Sequence, residues 1–150
     1  MAEWFDVVDV GAGNKKFPLG HRQKDVNGNE YVYLKGIASN AAGEWLVWDE
    51  DYATTRLTAD EVGPVGVSMS DFDATTDFGW AQIYGKNTVA KSDTVAADKA
   101  LYIDGTAGRV DDLKVNGDEV HGAFSMIADA TNVVTVMLSY PYVSDVLDES

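Results

Sequence analysis

The amino-acid sequence predicts an all-β domain, folded as a compact β-barrel or β-sandwich. Short runs rich in β-branched and aromatic residues recur along the chain, and turns containing Gly and Asn separate them at regular spacing. Of the 150 residues, 45% are hydrophobic and 11% aromatic, which is enough for one globular domain with its own core. We therefore expect a single β domain at residues 21–143, between an extended N-terminal arm at 1–20 and an acidic tail at 144–150.

Turn signals bound the predicted strands. Asn27-Gly28 and Asn116-Gly117 favour tight turns because both residue types accept positive φ. We expect Pro141 to end the last strand, and Val95–Asp98 is the one segment that could form a helical turn. The expected strands are 30–37, 44–49, 65–69, 78–84, 88–90, 100–103, 120–128 and 133–139.

Two of these strands also predict which side chains are buried. Tyr31 and Tyr33 share one side of the strand at 30–37, and Val32 and Leu34 share the other. The strand at 44–49 is apolar on both sides, which is typical of a strand covered on both faces. We therefore interpret Trp45, Trp48 and, further along, Trp80 as core residues.

One phrase of the sequence occurs twice. Gly66-Val67-Ser68-Met69 leads to Asp73-Ala74-Thr75, and Gly122-Ala123-Phe124-Ser125 leads to Asp129-Ala130-Thr131 at the same offset. A motif repeated once indicates two related β units packed together. No set of reactive side chains accompanies the repeat, so it favours a scaffold or binding module.

Composition excludes several classes of function. The net charge of −14 argues against nucleic-acid binding and against an anionic membrane surface. The chain has no cysteine, which excludes disulfides, thiolate catalysis and Cys-ligated metals. Because it has no apolar run of membrane-spanning length and no signal-peptide pattern, we expect it to be made in a cytoplasm.

The arm carries the candidate binding residues. Gly11-Ala12-Gly13-Asn14 breaks regular structure, and the residue before Pro18 is biased towards extended chain. Apolar side chains on such an arm expose surface unless they dock on the protein's own domain or on a partner. The candidate partner-binding residues are Trp4, Phe5, Val7, Val8, Phe17 and Leu19.

Two acidic groups could in principle do chemistry. Asp71, Asp73, Thr75 and Asp77 alternate as in a calcium loop, but the Gly and Glu that complete an EF-hand are missing. Asp49-Glu50-Asp51 could supply paired carboxylates, but consecutive residues point in different directions. We interpret both as solvated turns and expect no metal.

Nucleophilic and phosphate-binding motifs are incomplete. A triad would need His21 or His121 beside a nucleophile such as Ser68, and the sequence around Ser68 lacks the final Gly of a nucleophile elbow. Gly11–Lys16 has neither the P-loop nor the dinucleotide spacing. We therefore expect no catalytic residues, no enzyme activity and no cofactor.

Several phrases resemble a known family. Pro18-Leu19-Gly20, the turn and strand from Asn27 to Lys35, Gly66-Val67-Ser68, the phrase Phe78–Gly85 and Leu101-Tyr102-Ile103 are similar to the small capsid decoration (cement) proteins of tailed bacteriophages. The resemblance covers about residues 18–140, and its most specific part is Gly79-Trp80-Ala81-Gln82-Ile83.

The resemblance implies a structural protein without catalytic residues. Such a protein binds the outer surface of a phage head, often as a homotrimer or other small oligomer, and reinforces the joints between major capsid protein subunits. It would be found on the virion. Composition and strand pattern leave two other functions open, a carbohydrate-binding module or fibre-like adhesion domain and a small hydrolase.

Overall fold

The computed structural model describes residues 6–146, and within them it confirms the all-β prediction. These residues form ten strands and no helix. The strands are β1 (Arg22–Lys24), β2 (Glu30–Lys35), β3 (Trp45–Trp48), β4 (Thr54–Arg56), β5 (Gly63–Ser68), β6 (Phe78–Lys91), β7 (Ala100–Ile103), β8 (Val110–Asp111), β9 (Glu119–Ala130) and β10 (Val133–Val143).

All ten strands belong to one antiparallel sheet. Its order is β1-β2-β6-β5-β10-β9-β7-β8, and β3 joins β5 to β4. β10 pairs with β6 as far as Ser139, opposite Tyr84, and then meets β5 at Tyr142, opposite Pro64. The residues between Ser139 and Tyr142 therefore cross a gap between two pairings, and this gap positions one of the sites described below.

The apolar side chains form one main cluster and two smaller ones. The main cluster takes side chains from β3 and from each strand between β5 and β10. β2 separates the smaller clusters, with Val32 and Leu34 in one and Tyr31 and Tyr33 in the other, as the alternation predicts. All four residues of β3 are buried, which confirms that this strand is covered on both faces.

Residues 6–20 form no strand and lie against β6. The amide of Gly11 donates to the Phe78 carbonyl at 2.9 Å, and the Phe78 amide donates to the Gly11 carbonyl at 3.2 Å. The amide of Gly13 donates to the Thr76 carbonyl at 2.9 Å. The described part of the expected arm is therefore packed on the domain, and an extended arm is not confirmed.

The predicted helical turn at Val95–Asp98 is wrong. The Val95 amide donates to the Asp129 carboxylate at 3.1 Å, and the Asp129 amide donates to the Val95 carbonyl at 2.9 Å. Because these bonds run across to β9, they tie the segment to a strand and leave Val95 outside any helical hydrogen-bond ladder.

The prediction that Pro141 ends the last strand is also wrong, because β10 continues to Val143. Proline has no N–H to offer a sheet and is tolerated at a bulge, where a residue is left unpaired. Pro141 lies at such a position, since the register of β10 against β9 shifts between Leu138 and Tyr142.

The two-unit repeat is not confirmed. Asp73-Ala74-Thr75 lies in the long connection between β5 and β6, whereas Asp129 and Ala130 are the last residues of β9. Only Thr131 and Asn132 separate β9 from β10, both at positive φ, as a tight hairpin requires. The two phrases therefore occupy different kinds of connection.

Candidate functional site

The outward side of β6, β9 and β10 carries a group of exposed apolar side chains. Phe124 on β9 lies opposite Met137 on β10, which lies opposite Lys86 on β6. Phe124 is 49% exposed and Ile127 58%. We call this surface the apolar face and define it by Phe124, Met126, Ile127, Val133 and Met137. Val133 and Met137 are partly exposed, and a group of this kind is a candidate interaction surface.

Around Ser125, the alternation of buried and exposed side chains along β9 is the reverse of what the residue types predict. A strand that reads Phe124-Ser125-Met126 would ordinarily bury the two large apolar side chains and expose the serine. Here Ser125 is fully buried, and Phe124 and Met126 are exposed. The Ser125 hydroxyl donates to the Ala96 carbonyl at 2.6 Å and accepts the Lys99 amide at 2.9 Å. These bonds offset the cost of burying the hydroxyl, and they fix the register that turns Phe124 outward.

The apolar face is also free of carboxylates in a strongly acidic protein. The segments 84–91 and 120–128 and the whole of β10 contain no Asp or Glu. Their charged side chains are Lys86, next to Met137, and Lys91, next to Val133. The carboxylates of β9 are Glu119 and Asp129, near its two ends, and most of the negative charge of the protein lies elsewhere.

Buried amides shape β6 beside this face. The Gln82 side chain donates to the carbonyl oxygens of Tyr84 and Lys86, each at 3.0 Å. The Asn87 side chain donates to the Gln82 side-chain oxygen at 2.9 Å. Between these carbonyls lies Gly85 at a φ of 99°, a region that side chains avoid. These hydrogen bonds thus give donors to the carbonyl groups at a bend in β6. The side chains of Tyr84 and Lys86 are exposed there.

Three of the six arm residues predicted to bind a partner are packed on the domain itself. Val7, Phe17 and Leu19 lie against the cluster of Tyr31, Tyr33 and Trp80. The Phe17 ring is 5.1 Å from the Trp80 ring and 5.3 Å from the Tyr33 ring, centroid to centroid. Val8 is 57% exposed. Trp4 and Phe5 lie outside the described residues, and partner binding by the arm stays a prediction.

A second exposed group surrounds Tyr140, which has a φ of 52°. The Tyr140 hydroxyl donates to Oε1 of Glu30 at 2.9 Å, and this hydrogen bond raises the pKa of the phenol. The Tyr140 ring lies 5.2 Å from the Tyr84 ring, and the Arg22 guanidinium lies 5.8 Å from the Tyr140 centroid. Glu30 is only 5% exposed, so a buried carboxylate fixes an exposed aromatic ring.

A pocket of about 140 Å³ opens beside Tyr140, where β10 passes from β6 to β5. Its inner lining consists of the buried side chains Trp48, Val65 and Ile83. Its other lining residues are Arg22, Pro64, Tyr140, Pro141 and Tyr142. The pocket is therefore mostly apolar, with an arginine at its rim.

The two acidic clusters considered as metal or catalytic sites, at residues 71–77 and 49–51, accept hydrogen bonds from backbone amides. The Asp77 carboxylate accepts the Asp73 amide at 2.7 Å, and the Asp71 carboxylate accepts the Ala42 amide at 2.7 Å. The Asp49 carboxylate accepts the Asp51 amide at 2.9 Å. These bonds favour the interpretation of both acidic groups as turns.

The residues of the possible triad likewise make structural contacts. The Ser68 hydroxyl donates to the Ala41 carbonyl at 3.1 Å. His21 stacks on Phe17, and His121 stacks on Tyr142. These contacts bring neither histidine to Ser68, so they do not assemble the triad that the sequence left open.

Sequence reasoning missed two clusters of carboxylates, one formed by Asp104 and Asp111 and the other by Asp60, Asp118 and Asp145. Burial, helped by the neighbouring Asp104, raises the pKa of the Asp111 carboxyl to about 6. Asp60, Asp118 and Asp145 have carboxylate oxygens within 4.8 Å of one another. Asp111 is the last residue of β8, and Asp60, Asp118 and Asp145 lie far apart in the sequence, so no motif of the sequence signals either cluster.

No protein-family model matches the chain, and no curated protein or solved structure shows significant similarity to it. The described residues contain no helix long and apolar enough to cross a membrane. The described residues thus define an all-β protein with a group of exposed apolar side chains on β9 and β10 and a small, mostly apolar pocket beside Tyr140.

Proposed function

We propose that this protein is a structural adhesion protein that decorates the outer surface of a tailed-phage head and stabilises the joints between major capsid protein subunits. The observation that carries the proposal is the reversed alternation of β9, which buries Ser125 and exposes Phe124 and Met126. Departures from the expected pattern occur where function requires them. The sequence resemblance to decoration proteins supplies the identity of the partner.

Burial of the apolar face would supply the binding energy. Each large apolar side chain removed from water contributes about 1 to 2 kcal/mol, so a few such contacts give moderate affinity. A symmetric shell repeats the contact many times, and linked contacts gain further through avidity. Adhesion of this kind needs no reacting groups.

Co-sedimentation with phage heads tests this proposal. The probe is a panel of expanded tailed-phage heads that lack their decoration protein. The double variant Phe124→Ser/Ile127→Ser should weaken binding at least about tenfold, because both side chains lie on the apolar face. The matched control is Leu113→Ser/Val62→Ser, which removes two apolar side chains that are 69% and 67% exposed and lie outside the face.

Two results would contradict the proposal. Wild-type protein could bind none of the heads, or the control double variant could lose binding to the same extent. The exposed positions of all four substitutions keep the fold intact, which thermal unfolding of each variant verifies.

The proposed assembly is a homotrimer located on the virion. Light scattering on the purified protein should give a native mass near that of three 16.2-kDa chains. A mass of one chain at micromolar concentration would contradict the trimer while leaving the head-binding test unaffected.

A further inference from the structure

We propose that the pocket beside Tyr140 is a second interaction site, which takes one aliphatic or proline side chain of an extended protein segment whose next residue carries a carboxylate. The site is separate from the apolar face, and it does not require that the partner be a phage head. Its chemistry follows from the lining and the rim of the pocket.

The lining selects an apolar occupant. Trp48, Val65 and Ile83 are at most 8% exposed and line the pocket with apolar residues. Its volume of about 140 Å³ has room for one side chain of moderate size. Pockets of this kind hold the single anchoring side chains that dominate many protein interfaces.

The same lining disfavours a sugar, although exposed tyrosines favour carbohydrate binding in general. A pyranose ring carries hydroxyl groups around most of its edge. Inside this pocket most of them would lose water without gaining a hydrogen bond, which costs binding free energy. The lining side chains with polar atoms are Arg22, Tyr140 and Tyr142, which are 60%, 45% and 49% exposed.

The rim selects a carboxylate beside the apolar anchor. The Arg22 side chain is 60% exposed, and its Nη1 lies 3.7 Å from Oε2 of Glu30, beyond hydrogen-bond distance. Glu30 accepts its close hydrogen bond from Tyr140 instead, at 2.9 Å. The guanidinium thus makes a long ion pair with Glu30 and lies 5.8 Å from the Tyr140 centroid, and its exposed part offers donors to an incoming carboxylate.

Tyr140 has a positive φ at the place where β10 passes from β6 to β5 beside the pocket. A φ of 52° places Tyr140 in the left-handed region, which is unfavourable for residues other than glycine. The bend lets β10 leave β6 after Ser139 and reach β5 at Tyr142, and the pocket occupies the resulting gap.

The test is an NMR titration of the full chain with blocked tetrapeptides. The probes are Ac-Gly-Leu-Asp-Gly-NH₂, its charge-reversed form Ac-Gly-Leu-Lys-Gly-NH₂, its form without the anchor Ac-Gly-Ser-Asp-Gly-NH₂, and methyl β-glucopyranoside. The first peptide should shift the signals of Trp48, Tyr140 and Tyr142 at millimolar concentration. Each of the other peptides should bind at least about fivefold more weakly.

Two variants separate this site from a general surface effect. Arg22→Gln should remove the preference for Asp over Lys while retaining the preference for Leu over Ser. Phe124→Ser/Ile127→Ser, on the apolar face, should leave all peptide affinities unchanged even where head binding is lost. The pocket and the head-binding proposal can therefore fail independently.

Three results would overturn the inference. They are the absence of shifts at the pocket with any peptide, equal affinity for the Asp and Lys peptides, and stronger shifts with the glucoside than with the Leu-Asp peptide. The last result would assign the pocket to carbohydrates.

Discussion

Tyr140 and Glu30 are 110 residues apart in the sequence and are joined by a 2.9 Å hydrogen bond from the tyrosine hydroxyl to the carboxylate. The bond connects the irregular part of β10 to the beginning of β2, which lies on the other side of β6 in the sheet. It leaves an exposed ring resting on a carboxylate that is 5% exposed. This hydrogen bond thus positions the Tyr140 ring at the rim of the pocket and gives the buried Glu30 carboxylate a donor.

Replacing this tyrosine should destabilise the protein. Tyr140→Phe keeps the ring but removes the donor, which leaves the buried Glu30 carboxylate without its closest partner. We expect the midpoint of thermal unfolding to fall by about 3 °C. Tyr142→Phe, at a ring of similar exposure, is the control and should change the midpoint little. Equal effects of the two substitutions would contradict the role given to the hydrogen bond.

A side chain at position 85 should destabilise the protein. A Cβ at this position would lie 2.0 Å from the Asn29 side-chain oxygen, and the φ of 99° is unfavourable for any other residue. We expect Gly85→Ala to lower the free energy of unfolding by about 2 kcal/mol or more. Gly28→Ala is the matched control, since Gly28 has a φ of 85° but open space around it. It should cost about 1 kcal/mol, from strain alone. Urea denaturation measures both values, and equal losses would show that the contact with Asn29 is unimportant.

The buried amide pair should stabilise β6. Asn87 is buried, and Asn87→Ala removes both the donor to the Gln82 side chain and the acceptor for the Val89 amide. We expect a loss of about 2 kcal/mol in the free energy of unfolding. Lys86→Ala, at the exposed neighbouring position, should change it by less than about 0.5 kcal/mol. A loss for Asn87→Ala no larger than that for Lys86→Ala would refute the contribution of the network.

Asp111 should make stability depend on pH. Its folded pKa of about 6 lies above the ordinary value of 3.8, so between these values the folded protein holds a proton that the unfolded chain releases. The contribution of this group to stability therefore falls as the pH rises from about 4 to 6 and stays unfavourable above that range. Asp111 is only partly buried, and solvent screening limits the effect to about 1 kcal/mol.

The substitution Asp111→Asn tests this pH dependence. The variant should be more stable than wild type at pH 7, and the difference should shrink towards pH 4, as followed by thermal unfolding at both values. Asp51→Asn at an exposed turn is the control. An advantage of Asp111→Asn that is the same at both pH values would contradict the raised pKa.

Local patterns in the sequence predicted the elements whose partners lie nearby. The Asn27-Gly28 signal corresponds to the turn between β1 and β2, where Gly28 has a φ of 85°. The β-branched run from Val133 begins β10 as predicted. In both cases, turn chemistry or residue type within a few positions determines the backbone.

The parts that sequence reasoning missed depend on residues far apart in the chain. The outward position of Phe124 follows from the contacts of Ser125 with the segment at 96–99, and no alternation pattern contains that information. Pro141 stays within β10 because it lies where the register of β10 against β9 shifts, next to the residues that pair with β5. The pocket combines side chains from β1, β3, β5, β6 and β10, so it exists only in the folded sheet.

The most direct test of the adhesion account is electron cryo-microscopy of undecorated phage heads incubated with the purified protein. We predict additional density on the outside of the shell, with β6, β9 and β10 turned so that Phe124 and Met137 are buried at the contact. Density in which this face points to solvent, or saturating protein that leaves the shell unchanged, would contradict the account.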